Sequence, residues 1–283
     1  MTRPTAFVQC GPRDGFDGAW RPGIDYDTAA VAQGYADRGW ELRPLRTAAA
    51  SGPVGAVLPG MPSGIIPPEA AAQLTPRTPV IGGLRAVYDA LRVLGRPQTP
   101  GATYPQPLRR FMVGAPRSAT LEEAFWLVSQ APRFVKPQGD AKLFTGFLAA
   151  DADALWSMTA HLLETTRVWV VRPARFVSEF RCVILDGKVQ HVGPYKGDPL
   201  VPWQPDGIRE MIAAWPDAPR AWTLDVGVLE DGRQVLVEVN GGIAYGLYGT
   251  GPYFSSLVHM AAWEDLCGLE PGALQREGPA WAG

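Results

Sequence analysis

The chain has 283 residues, of which 46% are hydrophobic and 19% are charged, as is typical of a globular protein with a sizeable buried core. Its net charge of −2 offers no excess of positive charge to attract nucleic acid or an anionic membrane. No apolar run approaches the roughly 18–20 residues of a membrane span, and residues 1–10 lack the long apolar core of a signal peptide. We therefore expect a cytoplasmic protein without nucleic-acid or membrane partners, and the sequence leaves the oligomeric state open.

The first hundred residues predict a small α/β unit. Asp27 is a predicted helix cap, and Gly95 is a predicted helix stop. Residues 97–107 contain four prolines and predict a linker. The sequence therefore predicts an N-terminal α/β domain over residues 1–98 and a second domain over residues 99–283. The elements predicted in the first domain are strands at 6–10 and 54–58 and helices at 28–38 and 84–94.

The second domain is predicted to mix strands and helices, so the fold class is α/β (α+β). Thr120 and Glu123 have the spacing of a capping box at a helix start. Asp186-Gly187 and Asp231-Gly232 are typical of the turns of β-hairpins. The predicted strands are 133–136, 143–148, 167–171, 175–185, 189–192, 222–229 and 233–240, and the predicted helices are 120–129, 151–164 and 253–266.

Strand alternation indicates a polar cluster on the last hairpin, because successive side chains point to opposite faces. Two apolar faces are predicted to pack on one core: Trp222, Leu224, Val226 and Val228 on one strand, and Val235, Val237 and Val239 on the other. Asp225, Glu238 and Asn240 then converge on the open face, where their oxygens suit Mg²⁺. The alternative is that these three side chains are simply solvated.

Glu179 and Arg181 share the polar face of the strand predicted at 175–185. They are either a surface ion pair, which contributes little to stability, or part of a cleft where the planar guanidinium of Arg181 holds a phosphate.

The lysines indicate a second candidate site. The chain has only four of them, and Lys136 and Lys142 lie six residues apart in a loop that contains Gly139. Glycine lets the backbone approach a phosphate closely, and two ammonium groups supply charge for a polyphosphate. The sequence has neither a Walker A motif nor a G-x-G-x-x-G run that opens a helix.

Other chemistries are disfavoured by the residue pattern. The three histidines are scattered and lack the spacing of zinc ligands, and no G-x-S-x-G motif of a serine hydrolase occurs. The three cysteines are far apart and predict thiols rather than disulfides.

Taken in order, several segments resemble the ATP-grasp superfamily. The segments are Phe134–Pro137, Lys142–Gly146, Val168–Val171, Ser178–Arg181, Asp225–Gly227 and Glu238–Asn240. The turn Lys142–Gly146 and the tail from Asn240 to Gly249 are similar to those of the clade named for one arginine and two lysines. The resemblance covers roughly residues 75–266. It implies an ATP-grasp fold whose two subdomains clamp ATP, preceded by the small N-terminal α/β domain.

The resemblance also implies cofactors and roles for named residues. The cofactors are ATP and one or two Mg²⁺ ions, for which Mn²⁺ can substitute. Lys136 and Lys142 would contact the α- and β-phosphates, and Arg181 would stabilise the transferring γ-phosphate. Glu179 would face the ribose or orient Arg181. The remaining implied roles are adenine contacts by the backbone of Val170, Val171 and Arg172, and metal ligation by Asp225, Glu238 and Asn240.

The implied reaction is ATP-dependent ligation of a carboxylate to an amine through an acyl phosphate, with Lys142 and Arg181 as catalytic residues. The implied substrates are small molecules: a carboxylate such as an amino acid or peptide, and an amine. Two alternatives stay open: a phosphotransferase that uses the same site, and a nucleotide-binding module without turnover.

Candidate substrate contacts follow the predicted hairpins. Tyr195 and Lys196 follow one hairpin, and Tyr245 and Tyr248 lie in the glycine-rich tail after Asn240. These positions would border the γ-phosphate side of the cleft, with Lys196 suited to a substrate carboxylate. The alternative is that the tyrosines pack against the terminal helix.

Overall fold

A computed structural model describes residues 3–10, 25–47, 66–96, 103–139 and 143–275. The strand predicted at 54–58 and the side chain of Lys142 lie outside these described residues. The described part contains three β-sheets with helices packed on them, so the predicted mixed α/β class is confirmed.

The N-terminal sheet is parallel, with strand order β2-β1-β3. Asp25 caps the first helix, since its carboxylate accepts a hydrogen bond of 3.0 Å from the backbone N–H of Thr28. The prediction of Asp27 as the cap was therefore wrong by two residues. The elements are β1 (Thr5–Cys10), α1 (Tyr26–Asp37), β2 (Glu41–Arg46), α2 (Pro68–Ala71), β3 (Val80–Ile81) and α3 (Leu84–Val93).

The middle sheet is antiparallel, with order β4-β7-β5-β6. The capping box of Thr120 and Glu123 is present at the start of its first long helix, as predicted. The helix predicted to reach residue 164 ends at Thr159, whose hydroxyl donates to the carbonyl of Leu155. The elements are a 3₁₀ helix (Gln106–Phe111), β4 (Arg117–Thr120), α4 (Leu121–Gln130), β5 (Arg133–Pro137), β6 (Phe147–Ala149), α5 (Ala152–Thr159) and β7 (Arg167–Val171).

The strand predicted at 143–148 is β6, which begins only at Phe147. Before it, Phe144 is buried in the core of the middle sheet, and its ring meets that of Phe147 edge-on at 5.9 Å. Packing of this side chain, rather than strand pairing, determines the path of residues 143–146.

The third sheet is antiparallel, with order β11-β10-β8-β9. Both predicted hairpins are present. The second strand of the first hairpin, predicted at 189–192, extends to Gly197 and brings Lys196 opposite Glu179. The elements are β8 (Phe176–Leu185), β9 (Lys188–Gly197), α6 (Pro205–Ala213), β10 (Ala221–Leu229), β11 (Gln234–Gly241) and α7 (Pro252–Cys267), of which α6 was not predicted.

A β-bulge changes which residues of β11 face the core, so the prediction for this strand needs correction. Asp225 pairs with Glu238, but the next residue of β10, Val226, pairs with Leu236. The extra residue, Val237, breaks the alternation, so that Leu236 and Val239 both join the apolar core of this sheet. The prediction that Val235, Val237 and Val239 share one core face was therefore wrong.

The segment predicted as a linker packs tightly where it is described. The carbonyl of Thr103 accepts a hydrogen bond of 3.0 Å from the backbone N–H of Val239, and Tyr104 is buried. Residues 97–102 lie outside the described part of the chain.

One hydrophobic core joins the N-terminal sheet to the C-terminal helix. It contains Val8 and Tyr35 from the first domain and Trp263 from α7. Helix α7 packs directly on α1. The domain boundary at residues 98 and 99 stays a prediction, because the two predicted domains share this core. In the described part, no helix is long and apolar enough to cross a membrane.

The close contact between α1 and α7 predicts that replacing Gly34 of α1 by alanine destabilises the protein. A Cβ atom on Gly34 would lie 2.1 Å from the carbonyl oxygen of Pro252 and 2.6 Å from Cβ of Ser256. Helix propensity alone favours alanine by about 1 kcal/mol. We expect Gly34→Ala instead to lower the free energy of unfolding by about 1–3 kcal/mol in urea denaturation, because the two helices must separate.

Gly207 in α6 is the matched control. Its added Cβ would meet first the Nε2 atom of Gln234 at 2.9 Å, which is the far end of a flexible side chain rather than backbone. Gly207→Ala should change stability by less than about 1 kcal/mol. A stabilised Gly34→Ala protein would contradict the close packing of α1 on α7.

Candidate functional site

Three charged side chains line up across the third sheet. Arg181 on β8 is opposite Asp225 on β10, which is opposite Glu238 on β11. Direct neighbours on antiparallel strands lie on the same face and within contact distance. Lys136 on β5 of the middle sheet reaches this row and forms an ion pair with Glu238. The cluster therefore joins the two sheets.

The Arg181–Asp225 pair is bidentate and buried. Nε of Arg181 donates to Oδ1 of Asp225 at 2.7 Å, and Nη2 donates to Oδ2 at 2.6 Å. The side chains are 9% and 1% exposed. Burial opposes the charge of Arg181, but its hydrogen bonds to Asp225 raise the pKa of the guanidinium. Burial raises the pKa of Asp225 to about 6 against the lowering effect of Arg181, which leaves the pair predominantly ionised at neutral pH.

A third hydrogen bond of Arg181 reaches the glycine-rich tail. Nη1 donates to the carbonyl oxygen of Gly246 at 3.2 Å. The guanidinium carbon also lies 5.0 Å from the ring centroid of Tyr248. Arg181 thus connects the sheet to the tail.

Glu238 and Asn240 lie at the open side of the row. The side chain of Glu238 is 25% exposed, and Nδ2 of Asn240 donates to its Oε1 at 3.0 Å. Burial alone would raise the pKa of Glu238, but the ammonium group of Lys136 lowers it below its usual value. Glu238 is therefore a carboxylate at neutral pH.

The predicted metal ligands are brought together only in part. Among the described residues, no group of three or more His, Cys, Asp and Glu side chains is arranged to hold a metal ion. Both oxygens of Asp225 accept from Arg181, whereas Glu238 lines the larger cavity between the sheets and the half-buried Asn240 lies beside it. One carboxylate and one amide oxygen fit Mg²⁺, which proteins usually hold by one or two carboxylates together with substrate phosphates and waters.

The polar face of β8 continues at Glu179. Oη of Tyr195 donates to Glu179 at 2.9 Å, and Nζ of Lys196 lies 2.8 Å from its other oxygen. Burial, together with nearby carboxylates, raises the pKa of Tyr195. Its ring stacks on that of Tyr248 with centroids 5.0 Å apart. Three of the four predicted substrate contacts therefore meet at one place, where Glu179 accepts a hydrogen bond from Tyr195 and forms an ion pair with Lys196.

A cavity of about 490 Å³ lies between the middle and third sheets, within reach of this cluster. Its polar end is formed by Glu179, Tyr195, Lys196 and Glu238. Of the three residues implied to contact adenine through their backbone, Val171 and Arg172 line it, whereas the side chain of Val170 is buried in the core of the middle sheet. The apolar walls include Phe134, Leu148, Phe176, Leu236 and Val237.

The fourth predicted substrate contact, Tyr245, lies elsewhere. Tyr245 lines a smaller cavity of about 240 Å³ between the tail and the N-terminal sheet. Asp27 also lines it and accepts a hydrogen bond of 3.1 Å from the backbone N–H of Leu247. Sequence reasoning placed Asp27 at a helix cap and missed this contact, because no local pattern relates residues 27 and 247.

A second missed residue is Tyr104. Its ring lies 5.7 Å from Nζ of Lys136 and meets the ring of Trp169 edge-on at 5.5 Å. It belongs to the proline-rich segment that predicted a linker. The sequence offers only a weak signal for Tyr104, namely a single aromatic residue among prolines.

Residues 116–253 match the profile of an ATP-grasp domain family, the second family of the clade named for one arginine and two lysines. The fold is similar to that of D-alanine–D-alanine ligase from Bacillus anthracis complexed with ATP, with 14% identity, 97% of this chain and 99% of that chain covered, and a TM-score of 0.50. It is also similar to N5-carboxyaminoimidazole synthetase from Staphylococcus aureus, with 11% identity, 94% and 78% covered, and a TM-score of 0.51.

An ADP complex of an N5-carboxyaminoimidazole ribonucleotide synthetase is a further similar structure, with 12% identity, 95% and 80% covered, and a TM-score of 0.53. At these identities the likeness concerns the fold alone, and it confirms the predicted ATP-grasp fold. No curated protein matches the sequence.

The buried ion pair of Arg181 and Asp225 predicts that removing the charge of Arg181 alone lowers the stability of the protein. In Arg181→Met, the carboxylate of Asp225 stays buried without its cation, so we expect urea denaturation to show a loss of about 3–5 kcal/mol. Adding Asp225→Asn should recover part of that loss, because the uncompensated charge is removed.

Arg209 and Asp206 form the matched exposed pair, with side chains 73% and 97% exposed. Arg209→Met should cost at most about 1 kcal/mol. If Arg181→Met were equally mild, Arg181 and Asp225 would not be a buried pair.

Proposed function

Since the chain carries an ATP-grasp domain of the arginine–lysine clade named above, we propose that it is an ATP-dependent ligase that joins a carboxylate to an amine and releases ADP and phosphate. One observation carries this proposal. Lys136, Arg181 and Glu238 meet between two sheets, beside a cavity that is apolar on its walls and polar at one end. This combination suits a nucleotide, whose base has flat apolar faces and whose phosphates are anionic.

The nucleotide would lie in the larger cavity, whose volume of about 490 Å³ is sufficient for a cofactor. The base would contact Phe134 and Leu236 on opposite walls, near the backbone of Val171 and Arg172. Gly146 leaves room for the ring of Phe134, since a Cβ there would lie 2.8 Å from it. Lys136 would hold a phosphate, and we assign the same role to Lys142, which lies outside the described residues.

Glu238 and Asn240 would hold Mg²⁺. When bound, the ion would neutralise part of the charge on the phosphates. The metal role predicted for Asp225 stays a prediction, because both of its oxygens hold Arg181 in place. Asp225 orients the guanidinium, and Glu179 similarly orients Tyr195 and Lys196.

The reaction has two balanced steps. A carboxylate oxygen of the first substrate attacks the γ-phosphorus, the bond from that phosphorus to the β–γ bridging oxygen breaks, and ADP leaves. The nitrogen of the amine then attacks the acyl carbon, the bond from that carbon to the phosphate oxygen breaks, and phosphate leaves. The ammonium form of the amine loses two protons, of which one ends on the phosphate and the other is released to water. Arg181 stabilises the charge on the transferring group, and no enzyme nucleophile is needed.

The products decide between this function and its alternatives. We expect ADP and free phosphate to appear in equal amounts, and only when a carboxylate and an amine are both supplied with Mg-ATP. A panel of amino acids and small peptides, assayed by coupled ADP and phosphate detection, tests this. ADP without free phosphate from a single substrate would favour a phosphotransferase. ATP binding without turnover for any pair would favour a nucleotide-binding module.

Lys136 provides a test of the nucleotide site. Lys136→Ala should weaken ATP binding at least about tenfold in calorimetric titration, because a charge-assisted hydrogen bond contributes about 1.5–3 kcal/mol. The control is Lys188→Ala, which removes an exposed lysine at the start of β9. That variant should bind ATP as the unaltered protein does. Equal ATP affinity of both variants would contradict the assignment of Lys136.

A further inference from the structure

The aromatic pair of Tyr195 and Tyr248 lies against the guanidinium group of Arg181. The guanidinium carbon is 5.0 Å from the ring centroid of Tyr248 and 5.8 Å from that of Tyr195, and both distances are within the range of a cation–π interaction. The two rings stack on each other with an interplanar angle of 26°. Because Arg181 is buried, its attraction to the rings is stronger than at an exposed site.

Several neighbours determine the conformation of Tyr248. Its φ of 42° lies in the left-handed region, which is unfavourable for a tyrosine. Its carbonyl oxygen accepts a hydrogen bond of 3.2 Å from Nε2 of His191, and a Cβ atom on Gly193 would lie only 2.1 Å from the same oxygen. A Cβ atom on Gly246 would lie 2.9 Å from the ring. One hydrogen bond and two positions without a side chain thus hold a strained residue whose ring reaches Arg181, and such strain is typical of functional sites.

Arg181 keeps two hydrogen-bond donors for a ligand. A guanidinium group has five N–H groups. In the described part of the chain three of them are used, two by the carboxylate of Asp225 and one by the carbonyl oxygen of Gly246. One N–H on each terminal nitrogen remains, and both can donate to phosphate oxygens. Where these two groups point depends on how the planar guanidinium is held.

The guanidinium group is held less firmly by the tail than by the sheet. Its hydrogen bonds to Asp225 are 2.7 and 2.6 Å long, whereas its bond to the carbonyl oxygen of Gly246 is 3.2 Å long. The ring of Tyr248 lies close to both partners of this longer bond, because it packs against Gly246 and reaches the guanidinium group. Tyr248 therefore controls how the tail side of Arg181 is oriented.

From these contacts we propose that Tyr248, supported by Tyr195, is a positioning residue for Arg181. Its ring holds the guanidinium group in the orientation that directs the two remaining N–H groups at the γ-phosphate of ATP. ADP has no γ-phosphate, so the ring of Tyr248 determines how strongly the site prefers ATP to ADP. This role rests on the proposed function, because it requires ATP to bind beside Arg181.

Calorimetric titration with ATP and with ADP, each in the presence of Mg²⁺, tests this role. The unaltered protein should bind ATP more tightly than ADP. Tyr248→Asn removes the ring but suits the left-handed backbone, and it should reduce this preference at least about threefold through weaker ATP binding. Tyr248→Leu keeps an apolar side chain without an aromatic ring and should show the same loss. Tyr248→Phe keeps the ring and should keep the preference. A residue that only stabilised the tail would affect the two nucleotides alike.

Tyr253→Asn is the matched control. The guanidinium carbon of Arg38, which is also buried, lies 4.6 Å from the ring centroid of Tyr253, so this variant removes a comparable contact between α1 and α7. It should leave the affinities for ATP and ADP unchanged. Equal affinities of the unaltered protein for the two nucleotides, an unchanged preference in Tyr248→Asn and Tyr248→Leu, or an equal loss in Tyr248→Phe would each overturn the positioning role. If the unaltered protein binds neither nucleotide, the proposed function itself is refuted.

Discussion

The buried pair of Arg181 and Asp225 is the interaction on which the site depends. Removing both charges from water is costly, and the loss is offset only when the remaining donors and acceptors are also satisfied. Here the two short hydrogen bonds use both carboxylate oxygens, and a third donor of Arg181 holds the carbonyl of Gly246. Because β8 and β10 are the inner strands of their sheet, the pair fixes the guanidinium on a rigid support and draws the tail onto it.

The surrounding charges are balanced pair by pair. Lys136 pairs with Glu238, and Lys196 pairs with Glu179. Under the proposed function, nucleotide binding would exchange these partners without leaving a buried charge alone. Lys136 would turn from Glu238 to a phosphate, and Glu238 would help to hold the metal ion in place of the ammonium group. The structure without ligand and the complex are then both compensated. The proposed function thus accounts for a cluster whose charges cancel pair by pair although its proposed ligand is a polyanion.

Features that depend on a few neighbouring residues could be predicted from the sequence. Features that depend on contacts between distant parts of the chain could not. The turns at Asp186-Gly187 and Asp231-Gly232 and the capping box at Thr120 follow from a few neighbouring residues. Alternation placed Asp225 beside Glu238, but the bulge at Val237 is set by packing of the sheet and has no local signal. The contacts of Lys136 with Glu238 and of Asp27 with Leu247 join residues 102 and 220 positions apart, which no periodicity encodes.

The tail between the two cavities stores backbone strain that its contacts must maintain. Ala244 and Tyr248 have φ values of 53° and 42°, a region that costs a non-glycine residue about 1–3 kcal/mol. Asp27 holds the tail from the N-terminal side, Arg181 holds it from the third sheet, and Tyr195 stacks on Tyr248. The strained wall between the cavities is therefore fixed by groups from both predicted domains.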